Sequence, residues 1–357
     1  MSSTFRTWAE IDLNAIRHNL NIVQQTAKTG ILAVVKANAY GHGAPEVAAA
    51  IADKVELFGV ANIGEAEAVL ELGKDVLLLS PCIEDERSQA VAARSIVTVS
   101  TAAEAAAFGH GARFNFKVDT GMGRIGSWQD NAVAELEKIA ALPGTEIFSI
   151  SSHLPVSDED EEFTKAQLAH FADLVPRFRA IAPRAKFHVL NSAGILGFSE
   201  YAYDLVRPGL MLYGSAYPDK YQHLLKPALT WKAGILMVRK VPAGRSISYG
   251  RTFITPRPMR VATLPAGYAD GFPRQVSNKG AHVLIGGKRC AVLGRVTMDL
   301  IVVDVTEVPT AKAGDEAVII GRQGEEQILA RELADQAGTI SWDIFTGLKT
   351  RVKKVYL

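Results

Sequence analysis

Between residues 31 and 207 the chain repeats one pattern: a short, nearly continuous apolar run, then an alanine-rich stretch of helical period. Eight such runs stand at 31–36, 57–61, 76–79, 95–99, 114–118, 146–150, 186–190 and 204–207. Runs without polar alternation suit parallel strands covered on both faces. Helix candidates lie between them at 45–52, 65–72, 88–93, 132–141 and 163–181. Asn14 stands where a cap for the first helix is needed, Pro45 suits a first helical turn, and Gly73 suits a helix end. Eight β/α units in about 200 residues predict an α/β architecture, a (β/α)8 barrel of the TIM type. A doubly wound sheet is the competing solution, and the number of units favours the barrel.

The texture changes near residue 228. From there alternating runs at 231–241, 259–264, 282–285, 300–305 and 316–320 are split by turns such as Pro242-Ala243-Gly244 and Gly286-Gly287. This pattern predicts a C-terminal, mostly-β domain. One helix is expected within it, at 328–336, closed by Gly338. The expected division is therefore a barrel over residues 1–228 and a β domain over 229–357, with residues 1–13 able to pair with the second.

Length and charge agree with this division. A chain of 357 residues has room for about two domains. Hydrophobic content of 48% with 22% charged residues excludes a disordered chain. A net charge of +1 argues against nucleic-acid and membrane-surface partners, which call for a basic excess. No apolar run approaches the roughly 18 residues of a membrane-spanning helix. The first residues lack the basic and apolar segments of a secretory signal, so a cytoplasmic location is expected. Cys82 and Cys290 match no metal-ligand spacing; they read as free thiols of a reducing compartment, and no metal is expected.

In a barrel the chemistry sits on loops at the C-terminal ends of strands. The first run closes on Lys36. A buried lysine has a lowered pKa suited to Schiff-base chemistry, but a lysine at a strand end also snorkels to water. The strand position alone leaves both readings open. After the fifth run come Gly121, Gly123 and Gly126 around Arg124; their spacing is neither a P-loop nor a dinucleotide fingerprint, and a plain turn explains them as well. The sixth run leads to His153 and the seventh to Asn191-Ser192. The eighth gives Arg207-Pro208-Gly209-Leu210, at the place where such barrels commonly bind phosphate. Tyr249 and Tyr268, in the β domain, read by themselves as packed strand tyrosines.

Together these segments resemble the alanine racemase family. Val35-Lys36-Ala37-Asn38-Ala39-Tyr40-Gly41-His42-Gly43 is similar to that family's cofactor-lysine segment. Residues 117–126 and 206–214, Ser248-Tyr249-Gly250, Gly267-Tyr268-Ala269-Asp270-Gly271 and Gly294-Arg295-Val296-Thr297-Met298-Asp299 match in order and spacing. The resemblance implies pyridoxal 5′-phosphate bound covalently by Lys36. Tyr40, Ser192 and the amides of Gly209 and Leu210 would hold its phosphate, with Asn191 in the same cofactor-binding group. Arg207 would face the pyridine nitrogen, where a permanent cation disfavours ring protonation and weakens the ring as an electron sink.

Racemisation needs two bases on opposite faces of Cα. By resemblance these are Lys36 for D-alanine and Tyr249 for L-alanine, with Tyr249 and Met298 coming from the second subunit of a homodimer with shared active sites. His153 would tune Tyr249. Arg124 would bind the substrate carboxylate, Lys117 matches a position often carbamylated, and Tyr268 and Asp299 would line a narrow entrance. The implied activity interconverts L-alanine and D-alanine, supplying D-alanine for peptidoglycan. A broad-specificity racemase acting on serine or other small amino acids is the alternative on the same fold. An amino-acid decarboxylase lacks support, since its Gly-Gly-Gly run and Cys-centred segment are missing. A non-catalytic carrier would resemble the barrel alone. The tail departs from the family: Thr350 precedes Arg351-Val352 where some members have a tyrosine that binds phosphate.

Overall fold

The computed structural model describes residues 5–357. It forms two compact units. One comprises residues 16–39 and 43–226; the other comprises residues 5–15, 40–42 and 227–357.

In the first unit eight parallel strands run side by side: Leu205–Val206, Gly30–Val34, Leu57–Val60, Asp75–Leu78, Ile96–Val99, Arg113–Asp119, Glu146–Ser151 and Lys186–His188. From Gly30–Val34 to Lys186–His188 each pairs with the next along the chain, and Leu205–Val206 pairs back onto Gly30–Val34, as a barrel demands; a doubly wound sheet reverses strand order at a switch point. The ring is nearly closed. Across its last gap the Arg207 amide donates to the Leu190 carbonyl at 2.9 Å. Leu57–Val60 and Ile96–Val99 are buried at every position, which is why their sequences show no polar alternation.

The outer helices follow the expected periods with ends moved by a few residues: Ala44–Ile51, Ile63–Leu70, Arg87–Ala92, Gln129–Ala140 and Glu161–Ile181. Pro45 lies in the first turn of its helix, and Gly73 adopts φ +67° just beyond Leu70. The first helix, Leu13–Ala27, is capped by Asp12 and not by Asn14: the Asp12 carboxylate accepts from the amides of Asn14 and Ala15 at 2.8 and 2.9 Å. Asn14 is itself inside the helix. Three short elements lacked a readable period: helices Ala102–Ala106 and Ser192–Gly197 and the two-residue strand Ser127–Trp128.

The second unit carries a sheet in the order Lys288–Ala291, His282–Ile285, Glu316–Gln323, Leu229–Gly234, Thr7–Ile11, Lys353–Tyr356. Thr7–Ile11 lies antiparallel to Leu229–Gly234 and parallel to Lys353–Tyr356. The run expected at 231–241 is two strands. Leu229–Gly234 belongs to this sheet, and Met237–Val241 joins Met259–Leu264 and Ile301–Asp304 in another. The polar, exposed character of Arg239 and Lys240 marks the change of surroundings. Two helices, not one, follow: Ala330–Ala337, closed by Gly338 at φ +74°, and Ser341–Gly347. The second is only seven residues long, too short for a clear helical period.

Candidate active site

The strand before Lys36 ends at Val34. Lys36 therefore stands on the loop beyond it and opens a turn in which Ala37, Asn38, Ala39 and Tyr40 all have φ between 50° and 54°. Left-handed backbone costs non-glycine residues about 1–2 kcal/mol each, so neighbouring groups must hold it. Glu65 does so from the helix Ile63–Leu70: one carboxylate oxygen accepts from the Ala37 amide and the other from the Ala61 amide, both at 2.8 Å. Asn38 closes the turn, its Oδ1 accepting from Ala44 N at 2.8 Å and its carbonyl from Gly43 N at 2.9 Å. Burial pulls the Lys36 amine below its ordinary pKa; the charge of Arg124 adds to this and that of Glu65 opposes it.

Arg207 is the most densely bonded side chain of the barrel mouth. Nη1 donates to His188 Nδ1 at 2.6 Å and to the His188 carbonyl at 2.9 Å. Nη2 donates to the carbonyls of Ser152 (2.7 Å) and Val189 (2.8 Å) and reaches His153 Nδ1 at 3.3 Å. Burial lowers its pKa to about 10, leaving it charged at neutral pH. A guanidinium only donates, so both imidazoles accept through Nδ1 and carry their proton on Nε2. Burial, then the Arg207 charge, pushes both histidines well below the usual imidazole range, so they are neutral. The sequence pointed to His153 but assigned His188 no task. Its place at the end of a barrel strand, Lys186–His188, was the available signal.

Lys117 lies on the strand Arg113–Asp119 and is buried. Burial, Arg207 and Arg124 hold its amine far below the ordinary lysine pKa, against the favourable charge of Asp119. The glycine-rich loop that follows is no phosphate cradle. Its successive amides, Gly121, Met122, Gly123 and Arg124, all donate to the Asp119 carboxylate, at 2.8, 2.8, 2.8 and 3.3 Å. The Arg124 side chain is exposed.

Ser192 opens the helix Ser192–Gly197. Its Oγ accepts from the amides of Gly209 (3.0 Å) and Met211 (3.2 Å), so its own proton remains to be donated. Leu210 sits between them, at the start of a short 3₁₀ segment whose first amides have no partner within the turn. Asn191 is engaged in the fold: Oδ1 accepts from Gly194 N and Ser157 Oγ, and Nδ2 donates to the Leu154 carbonyl.

The remaining candidates belong to the second unit. Tyr40 is buried, and burial raises its phenol to about 12 although a hydrogen bond with Trp342 opposes this, so the hydroxyl keeps its proton. Tyr249 is 71% exposed. It follows Ser248, at φ 64° and ψ −175°, a region almost confined to glycine. Ser248 Oγ anchors that strain by donating to the Arg295 carbonyl at 2.5 Å. Met298 is 52% exposed, and the amides of Tyr268 and Ala269 donate to the carbonyls of Thr297 and Met298. Asp299 pairs with Arg351 at 2.8 Å, and Arg351 also reaches Asp270 at 3.2 Å; Thr350 beside it is exposed. Among the described residues no three His, Cys, Asp or Glu are grouped as metal ligands, and no helix is long and apolar enough to cross a membrane.

Comparison with known proteins supplies the last observation. Residues 11–217 match the family model of the alanine racemase N-terminal domain, and residues 228–356 that of the C-terminal domain. The chain is 41% identical to an alanine racemase of Carboxydothermus hydrogenoformans, over 98% of this chain and 99% of that one. It is 40% identical to one of Methylacidiphilum infernorum, over 98% and 92% respectively. Its fold superposes with a TM-score of 0.91 on the crystal structure of the biosynthetic alanine racemase of Pseudomonas aeruginosa, at 33% identity, covering 99% of this chain and all of that one.

Proposed function

The chain belongs to the alanine racemase family, and from that premise we propose that it interconverts L-alanine and D-alanine with pyridoxal 5′-phosphate, as a cytoplasmic homodimer supplying D-alanine for peptidoglycan. The observation that carries the cofactor assignment is the state of Arg207. Its Nη groups are saturated by protein acceptors, and its Nε–H has no partner among the described residues. That N–H is a donor for an unprotonated pyridine nitrogen. The Ser192 hydroxyl and the Leu210 amide are donors suited to a phosphate; the family resemblance adds the phenol of Tyr40 and the Gly209 amide, which here donates to Ser192 Oγ. Asn191 supports this group by capping the helix that Ser192 opens.

When bound, the cofactor stabilises negative charge at the substrate Cα. The chain supplies the proton transfers. Lys36, with its amine pKa lowered by burial, serves as base and acid on the D-alanine face. Tyr249 serves the opposite face. A phenol is a weak base unless a donor holds its anion. The Nε2–H of a neutral His153 is that donor, fixed by the bond of Nδ1 to Arg207. By the family resemblance Tyr249 and Met298, both exposed on their own chain, act in the site of a second copy. Arg124 takes the substrate carboxylate, and Tyr268 and Asp299 restrict the entrance. Lys117, whose amine is held well below its ordinary pKa, gives up its proton more readily, and the free amine is the form that adds carbon dioxide: its nitrogen bonds to the carbon as one C=O becomes C–O, loses a proton to solvent, and becomes an anion.

The test is to follow optical rotation of purified protein with L-alanine and with D-alanine. Convergence from both sides to the racemate is expected; carbon dioxide release or no turnover overturns the reading. Tyr249→Phe is expected to slow α-proton loss from L-alanine far more than from D-alanine, and an equal effect on both refutes the two-base assignment.

A further inference from the structure

We propose that Asp119 positions Arg124 for the substrate carboxylate by gathering the four amides that lead up to it onto one buried side chain. The inference rests on the reading of Arg124 as the carboxylate-binding residue.

Asp119 is 3% exposed and ends the barrel strand Arg113–Asp119. Its backbone is therefore part of the rigid wall. Its Oδ1 accepts from Gly121 N and Met122 N and its Oδ2 from Gly123 N and Arg124 N. Both oxygens are used, each by two donors, and all four donors are consecutive in sequence. Such a fan of amides requires the loop to curl around a point. Gly121 and Gly123 make the curl with φ +138° and +68°, and Gly126 ends it at φ +125°, where a Cβ would lie 2.8 Å from the Asp119 amide. The last donor is the amide of Arg124 itself. The clamp thus fixes the Cα of an exposed arginine whose side chain is otherwise free to wander, and it does so from the same strand that carries Lys117. Hydrogen bonds to a charged acceptor are the strong ones, and holding a binding group in place removes an ordering cost when substrate arrives.

A carboxylate is needed for this. An amide at residue 119 has one acceptor oxygen; its NH2 group would face two N–H donors and repel them. Asp119→Asn should therefore release half of the loop while leaving the strand intact. Gly123→Ala perturbs the same loop without touching Asp119. Its Cβ meets nothing within 4 Å, but its φ of +68° is strained for alanine.

The experiment measures alanine KM and kcat, inhibition by propanoate and by ethylamine, and amide hydrogen exchange of residues 121–124 in the holoenzyme, for wild type, Asp119→Asn, Gly123→Ala and Arg124→Lys. In Asp119→Asn the KM and the propanoate inhibition constant should rise together about tenfold, the loss expected of one charge-assisted contact, with kcat nearly unchanged. Exchange at 121–124 should quicken, and ethylamine, which has no carboxylate, should bind as before. Gly123→Ala should move the same constants in the same direction. Faster exchange with an unchanged propanoate constant overturns the inference, as does a fall in kcat at constant KM. Unchanged propanoate binding in Arg124→Lys overturns the reading of Arg124 itself. A raised constant there, with none in Asp119→Asn, overturns the positioning role alone.

Discussion

Arg207 organises its surroundings by being a donor at every nitrogen. Its charge has no carboxylate partner among the described residues; three carbonyls and the His188 imidazole suffice for its four Nη protons, and His153 Nδ1 shares one of them at 3.3 Å. Each imidazole must then stay neutral, since protonation at Nδ1 would set an N–H against a guanidinium. This has a pH consequence. The native pKa values of His153 and His188 lie well below their unfolded value near ~6.5. Above that value both states are neutral and the two groups add no pH dependence. As pH falls below it the unfolded chain takes up protons that the native state refuses, and stability drops until the native pKa is reached. Each pH unit across that window removes about 1.4 kcal/mol per imidazole. Thermal unfolding between pH 7 and 5 should show a falling midpoint, and His188→Gln, which keeps an acceptor and loses the titration, should show a shallower fall. An unchanged slope would mean that His188 takes up its proton in the native protein as it does in the unfolded chain.

At the scale of elements, the feature that stands out is the left-handed turn after Lys36. A right-handed helix follows almost any sequence of good helix formers, but Ala37, Asn38, Ala39 and Tyr40 are held at positive φ by their neighbours, Glu65 and Asn38 Oδ1 among them. Glycine there pays no steric cost. In an ordinary helix Ala37→Gly would destabilise by about 1 kcal/mol. At φ 50° the sign should differ, with stability held or raised within about 1 kcal/mol, because relief of strain offsets the greater freedom of the unfolded chain. Urea unfolding measures this directly, and a loss near 1 kcal/mol would show that the turn is not strained. The Val35-Lys36-Ala37-Asn38 string was legible as the cofactor-lysine segment by resemblance. Its conformation was not, because alanines carry no local signal for left-handed backbone. The same limit hid the cap at Asp12: Asp and Asn are comparable caps, and the choice between residues 12 and 14 was made by where the chain leaves Thr7–Ile11.

For the whole molecule, the shared-site proposal makes a quantitative claim. Lys36→Ala and Tyr249→Phe would each inactivate their own homodimer. A mixed dimer of the two variants would hold one site with both lesions and one with neither. Random exchange of subunits makes half of all dimers mixed, so activity should recover to about a quarter of wild type. No recovery after proven exchange would mean that Lys36 and Tyr249 serve one site from one chain.

The sequence by itself determined the repeating β/α pattern, the change of texture near residue 228 and which side chains stand as candidates for the site. Periodicity is a local property written along the chain, and a lysine or tyrosine keeps its chemistry wherever it is placed. Only the tertiary structure decided what surrounds those side chains. Residues 152, 153, 188 and 189 reach Arg207 from two other strand ends, and Glu65 reaches Ala37 from a helix 28 positions on. Such partners are chosen by the closing of the barrel, where short-range preference has no say. The collar of amides around Asp119 is the opposite case: its donors lie two to five positions away along the chain, yet glycine spacing alone did not distinguish it from a plain turn.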